Sequence, residues 1–206
     1  MKRLGLVVAL STIASIALSL GTACFMTESV SDDPLVQAAE NGDPEAQRQL
    51  GNRFEPGTAD DAEIGDVEKA VYWYRKACAA GYANGQIDFY NFAYVHAHTA
   101  DPRYLDEAIL CLQQAIEQGH RNAIVAGAFR AAFIDKDVPR GFYLYALLTE
   151  SDPGYAEQRW TLSDELSRET INQLERDAAA WRSQNRVKDY NDFFLEVASP
   201  FGRAAP

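Results

Sequence analysis

Basic residues are scarce in this sequence of 206 residues. Lys and Arg together number 19 against 30 Asp and Glu, which gives a formal net charge of −11. Proteins that bind nucleic acids need a basic surface, so the sequence predicts no nucleic-acid partner. Cys is also rare, with 3 residues, and this excludes a small fold held together by many disulfides. The hydrophobic fraction of 47% is nevertheless sufficient for one sizeable core.

Catalytic motifs are missing as well. The sequence contains no Ser-x-x-Lys, Gly-x-Ser-x-Gly, His-Glu-x-x-His or Gly-x-Gly-x-x-Gly, the usual marks of serine hydrolases, zinc peptidases and dinucleotide enzymes. We therefore expect a protein without catalytic activity and without a cofactor. The alternative is an enzyme of the cell envelope, acting on peptidoglycan or interacting with β-lactams, which would need two acids with separated pKa values in one pocket.

The candidate metal ligands are not spaced as metal sites require. His96 and His98 are two positions apart, so on a helix they point to different faces, and His120 or Asp101 could add only a third ligand. The acids between residues 60 and 66 do not follow the alternate positions of an EF-hand loop. The sequence predicts no metal site.

The first 23 residues have the pattern of a secretory signal peptide. Lys2 and Arg3 precede an apolar run over residues 4–20, which small residues follow up to Cys24. We expect export across the inner membrane and a periplasmic protein. An uncleaved anchor is an alternative, since about 17 apolar residues are close to the lower limit for crossing a bilayer.

Cys24 decides between a lipidated and a soluble mature protein. Residues 20–23 before Cys24 resemble a permissive lipoprotein box, which implies lipidation of Cys24 as the first mature residue, and Phe25 after it suggests sorting to the outer membrane. Ordinary cleavage after Ala23 would instead release a soluble protein. Membrane contact is thus expected only through this N-terminal anchor, and residues 24–32 are assigned to a linker.

Most of the remaining chain repeats. The word Ala-x-x-x-Gly occurs at 38–42, 77–81 and 115–119, with spacings of 39 and 38 residues, and a small residue follows each copy at a fixed distance. Apolar residues from Val67 onward recur with helical spacing, Asp-Pro pairs mark helix starts, and the glycines mark helix ends. Periods of this length built from helix pairs predict an all-α solenoid.

The repeated words resemble those of the Sel1-like repeat, a relative of the tetratricopeptide repeat. The resemblance is carried by Ala46-x3-Leu50-Gly51 together with Ala70-x2-Trp73-Tyr74-x2-Ala77-x3-Gly81. It implies a right-handed α-solenoid of antiparallel helix pairs over residues 33–186, with a C-terminal capping helix and a tail over 187–206. We expect Ser167 to cap a helix, and the tryptophans to be core or cap residues; these are Trp73, Trp160 and Trp181.

Cys78 and Cys111 are expected to stay unpaired. The repeat alignment places Cys111 level with Trp73, five residues from Cys78 along a parallel helix, which is too far for a disulfide. We interpret both cysteines as small apolar core residues.

The family resemblance also implies a partner-binding surface. In tetratricopeptide-like stacks the first helix of each unit lines the concave face, where the expected partner is a protein or peptide. The residues expected to be exposed there are Glu45, Arg48, Asn52, Glu55, Asn84, Ile87, Asn91, Tyr94, Asn122, Val125, Phe129 and Phe133. Their character changes from charged to apolar along the chain, and such an apolar end would either bind a partner or be covered by the tail residues Phe193, Phe194, Leu195 and Val197.

Function is expected to be that of a non-catalytic scaffold of the cell envelope. The protein or peptide partner would bind on the concave face, with Asn84, Asn91 and Asn122 gripping a peptide backbone. A structural subunit of a larger envelope complex is a further alternative. Fold alone does not identify the partner.

Overall fold

The computed structural model describes residues 33–57, 65–96 and 101–197, with side chains through Phe193. The signal segment, Cys24, the linker, the acids at 60–63 and His98 lie outside these residues. The described helices are α1 (Pro34–Glu40), α2 (Pro44–Arg53), α3 (Val67–Ala79), α4 (Ala83–Val95), α5 (Pro102–Glu117), α6 (Arg121–Phe129), α7 (Val138–Thr149), α8 (Ala156–Ser163), α9 (Arg168–Gln184) and α10 (Tyr190–Val197). A π-helical turn, Arg130–Ile134, extends α6, and a short 3-10 helix, Pro153–Tyr155, precedes α8.

Each of α1 to α7 packs against the next helix in the chain, and α9 packs on α7. This is the all-α solenoid of helix pairs that the repeats predicted. One extended core runs from α3 to α10, and a second cluster around Leu50 and Trp73 fills the space between α1, α2 and α3. None of the helices in the described part of the chain is long and apolar enough to cross a bilayer.

The predicted start and stop signals are confirmed. Asp43 and Asp101 cap α2 and α5 through their side chains, and Ser167 caps α9. In each Ala-x-x-x-Gly word the glycine has a positive φ, and the residue after it donates its N–H to the carbonyl of the alanine. The word is therefore a helix-ending Schellman motif, which needs the left-handed conformation that glycine adopts without strain.

The expectation for Cys78 and Cys111 is wrong, because the two residues form a disulfide between α3 and α5, with their Cα atoms 5.9 Å apart. Residues at equivalent repeat positions point in the same direction, so they cannot face each other. The two cysteines are 33 residues apart instead of 38, and five residues turn a side chain by about 140° to the opposite side of its helix. Arg75 and Glu107, 32 residues apart, form an ion pair between the same two helices.

One tryptophan also departs from expectation. Trp73 is buried and Trp181 packs against the core, but Trp160 on α8 is 74% exposed. Helix α8 has only eight residues and buries Leu162 alone. A single anchoring side chain leaves the neighbouring aromatic ring in solvent.

Candidate functional site

The surface formed by α2, α4 and α6 is the candidate interface, and we call it the first-helix face. Five of its expected residues are exposed: Asn91, Tyr94, Asn122, Phe129 and Phe133. Asn52, Glu55 and Val125 are half-buried, and the side chains of Glu45 and Arg48 are only 12% and 11% exposed. The face is thus open near the ends of α4 and α6 and largely closed near their beginnings.

Asn84 and Ile87 are buried, so their expected exposure is wrong. Helix α4 packs against α2, α3 and α5 and is also contacted by α10. A helix surrounded in this way has no solvent-facing stripe over its first turns. The periodicity of α4 alone could not show this, because the contact with α10 comes from a distant part of the chain.

Arg48 holds two carboxylates on the closed part of the face. Its guanidinium donates two hydrogen bonds to Glu45, at 2.8 and 2.7 Å, and a third to Asp88 at 2.7 Å. Burial acts to raise the pKa of both acids, whereas hydrogen bonds to the carboxylates act to lower it. For Asp88 burial dominates and the pKa stays above its usual value, whereas for Glu45 the bonds from Arg48, Gln49 and Tyr82 bring the pKa below it.

Tyr74 connects the core to the same surface. Its ring is completely buried, and its hydroxyl is hydrogen-bonded to Asn52 and to Glu55. Burial raises the pKa of Glu55 and of the Tyr74 hydroxyl. Asn52 and Glu55 therefore hold the end of α2 against α3 through their hydrogen bonds with Tyr74.

A second polar group lies at the beginnings of α4 and α6. The Tyr82 hydroxyl donates to Glu45 at 2.7 Å and accepts from the Asn84 amide at 2.9 Å, while Asn84 Oδ1 lies 2.9 Å from His120 Nε2. His120 Nδ1 accepts from the N–H of Ala123, so Nε2 carries the proton. Burial holds the pKa of His120 at about 4, and the ring is neutral at pH 7.

The open part of the face is aromatic. Tyr94, Phe129 and Phe133 are 47%, 49% and 43% exposed, and we call these three residues the aromatic patch. The rings of Phe129 and Phe133 are 5.2 Å apart. Tyr94 stacks on Tyr90, whose hydroxyl is within hydrogen-bonding reach of Arg130, so the end of α4 lies beside the π-helical turn. Such turns are frequent at functional sites.

The acids do not form an open catalytic pair. Glu45 and Asp88 have pKa values shifted in opposite directions, as the enzyme alternative required, but Arg48 is hydrogen-bonded to both. A substrate would have to displace the guanidinium to reach them. Among the described residues, no group of three or more His, Cys, Asp or Glu is arranged to hold a metal ion.

The sequence interpretation missed Tyr82, Asp88 and Tyr190, and it considered His120 only as a metal ligand. One signal was present: Tyr82 and His120 each follow a helix-ending glycine, at the position where the first repeat has the capping residue Asp43. Two unusual residues at a capping position indicate a role beyond capping. Asp88 and Tyr190 carry no comparable local signal.

The family comparison agrees with this architecture. A family model described as Sel1 repeat matches residues 44–82 and 102–120. The first match covers α2, α3 and the turn after them, and the second covers α5 and the turn that ends at His120. Among curated proteins, none is similar enough to the chain to be counted as a relative.

Proposed function

Because this chain is a Sel1-like repeat protein, we propose that it is a non-catalytic scaffold of the cell envelope that binds a protein or peptide partner on its first-helix face. Sel1 repeats generally mediate protein–protein interaction, which supports the scaffold part of the proposal. The envelope location and the binding surface rest on other observations.

The aromatic patch is the observation that carries the proposed binding surface. Three aromatic side chains, at the end of α4, at the end of α6 and in the π-helical turn, remain more than two-fifths exposed, although the beginning of α4 is contacted by α10. Exposed apolar groups of this kind mark interaction surfaces in soluble proteins. Asn91 and Asn122 are exposed on the same face and can both donate and accept hydrogen bonds from a partner's backbone.

Two observations support the envelope location. The N-terminal 23 residues have the pattern of a secretory signal, and the disulfide between Cys78 and Cys111 belongs to an oxidising compartment. Whether Cys24 is lipidated decides whether the scaffold is tethered to a membrane. The partner would then be a protein or peptide of the periplasm.

The binding surface can be tested by crosslinking in an envelope extract. We expect the tagged wild-type protein to capture a discrete partner and the double variant Tyr94→Ser, Phe129→Ser to lose it. Trp160→Ser is the matched control, because it removes an aromatic ring that is 74% exposed but lies on α8, outside the first-helix face. Equal capture by the folded double variant and by the wild type would exclude the aromatic patch as the binding surface.

A further inference from the structure

The chain after α9 does not pack on the preceding helix, as the helices of the solenoid do. Helix α9 ends at Gln184, Asn185 is extended, and the chain then returns to α6, α4 and α2, which lie three, five and seven helices before α9. We call residues 185–193 the C-terminal segment. It contacts the beginnings of α4 and α6, the part of the first-helix face that the aromatic patch does not occupy.

Three hydrogen bonds connect the backbone of this segment to α4, to α6 and to the turn before α6. The N–H of Lys188 donates to the carbonyl of Gly119 at 2.8 Å, and the N–H of Arg121 donates to the carbonyl of Lys188 at 2.9 Å. The Asn84 amide donates to the carbonyl of Tyr190 at 3.2 Å. Bonds of this kind hold any peptide backbone in the same position, as in peptide recognition by strand addition.

Two aromatic side chains give the contact its specificity. Phe193 is buried, and its ring stacks on that of His120 at 5.0 Å. Tyr190 lies beneath the guanidinium of Arg48, which is 5.4 Å from the ring centre. Residues three apart lie on the same side of a helical turn, so both rings point to the same surface.

The floor beneath the segment is polar. Asn84 and His120 are completely buried and are hydrogen-bonded to each other, and Asn84 also binds the hydroxyl of Tyr82. A contact that only closes a core does not need buried polar groups, which are costly when they lose a partner. A few placed polar groups among apolar walls are instead typical of a ligand site.

We infer that the beginnings of α4 and α6 form a peptide-binding site, which the chain's own C-terminal segment fills. The site takes a peptide with two aromatic residues three positions apart, and a partner protein that carries such a segment displaces the resident one. This site is separate from the aromatic patch, so either can fail without the other.

The test uses the full chain and a fluorescent peptide with the sequence of residues 186–197. The tethered segment competes at an effective concentration of about millimolar, so the wild type should bind the free peptide weakly. The full-length variant Tyr190→Ala, Phe193→Ala should bind it at least about 10-fold more tightly. Asn191→Ala, an exposed neighbour in the same segment, is the matched control and should behave as the wild type.

The peptide itself provides the second control. A version in which alanine replaces the residues corresponding to Tyr190 and Phe193 should not bind either protein. If the double variant is folded by circular dichroism but binds the original peptide no better than the wild type does, the segment is only a structural part of the fold and the inference is wrong.

A cleavable chain keeps the test decisive if the double variant does not fold. A protease site inserted between Gln184 and Asn185 is cut after folding, and excess labelled peptide is added. We expect the cleaved fragment to leave and the labelled peptide to take its place. If the cleaved fragment does not exchange for the labelled peptide, displacement by a partner is wrong. It is also wrong if light scattering shows that the cut protein forms a dimer.

Discussion

His120 is a buried histidine that is neutral in the folded protein. Its ring has a hydrogen-bond partner on each nitrogen, with Asn84 at Nε2 and the N–H of Ala123 at Nδ1. Adding a proton would remove the acceptor at Nδ1 and place a charge in a site without solvent. The folded protein therefore binds this proton only at a pKa of about 4, against the ordinary 6.5.

This difference predicts a loss of stability in mild acid. Between pH 6.5 and pH 4 the unfolded state binds more protons at His120 than the folded state, so the free energy of unfolding falls as the pH falls. The contribution of His120 should decrease by about 3 kcal/mol from pH 7 to pH 4. Urea unfolding of the wild type and of His120→Gln at both pH values measures it. A free energy of unfolding that depends on pH as steeply in His120→Gln as in the wild type would contradict the assignment.

The close packing around Gly51 predicts that a side chain added at this position destabilises the fold. A Cβ at this position would lie 2.6 Å from Cε1 of Tyr74, whose ring is buried and whose hydroxyl is bonded to Asn52 and Glu55. Gly51→Leu should therefore lower the free energy of unfolding by about 1 to 3 kcal/mol, despite the better helix propensity of leucine. The measurement is the melting temperature.

The control for this variant has to be chosen from the structure. Asn52 was the exposed neighbour in the sequence interpretation, but its side chain accepts a hydrogen bond from Tyr74, so replacing it would itself be costly. Gln49 is exposed on the same helix, and Gln49→Leu should cost far less. Equal melting temperatures for Gly51→Leu and Gln49→Leu would show that α2 does not pack on α3 as described.

At the scale of helices, neighbouring repeats are connected by buried polar side chains as well as by apolar contacts. The Gln47 amide donates to the carbonyl of Ala39, and Gln86, 39 residues later, donates to the carbonyl of Cys78. The Gln86 carbonyl also accepts from Gln118, which extends this contact into the turn after α5. The repeat in sequence is thus also a repeat of hydrogen bonds.

The disulfide between α3 and α5 strengthens the same junction. It closes a loop between residues 33 positions apart, and in the chain-entropy account a loop of this size stabilises the fold by about 3 to 4 kcal/mol. Reduction by dithiothreitol should lower the urea midpoint of the wild type accordingly. Cys78→Ser with Cys111→Ser should have this lower midpoint already and should not respond to reductant, and a wild type that does not respond either would show that the bond contributes little.

Local signals were sufficient to predict the helices, whereas contacts across the chain were not predictable from them. Asp-Pro pairs located the starts of α2 and α5 from the sequence, and Ser167 located the start of α9. The disulfide depends on which sides of two helices face each other, and the burial of Asn84 depends on Tyr190, which is 106 residues away. The residues of the aromatic patch could be identified because their exposure depends on nearby helices.

At the scale of the whole molecule, attachment to a membrane depends on Cys24, which precedes the described residues. We predict that Cys24 is lipidated and is the first residue of the mature protein. Labelled palmitate should enter the wild type and not Cys24→Ala, and Cys78→Ala is the control that should keep the label. A mature wild-type protein that carries no label would show that cleavage leaves a soluble protein.

The return of the C-terminal segment also has a consequence for how the protein folds. Helix pairs that contact only their neighbours can assemble in any order and at low cost in chain entropy. The bond from Asn84 to Tyr190 instead closes a loop of about a hundred residues, and the ends of so long a loop meet only after the intervening helices have shortened the path. We expect this contact to form last during refolding and to open first in native-state hydrogen exchange, before any repeat unfolds.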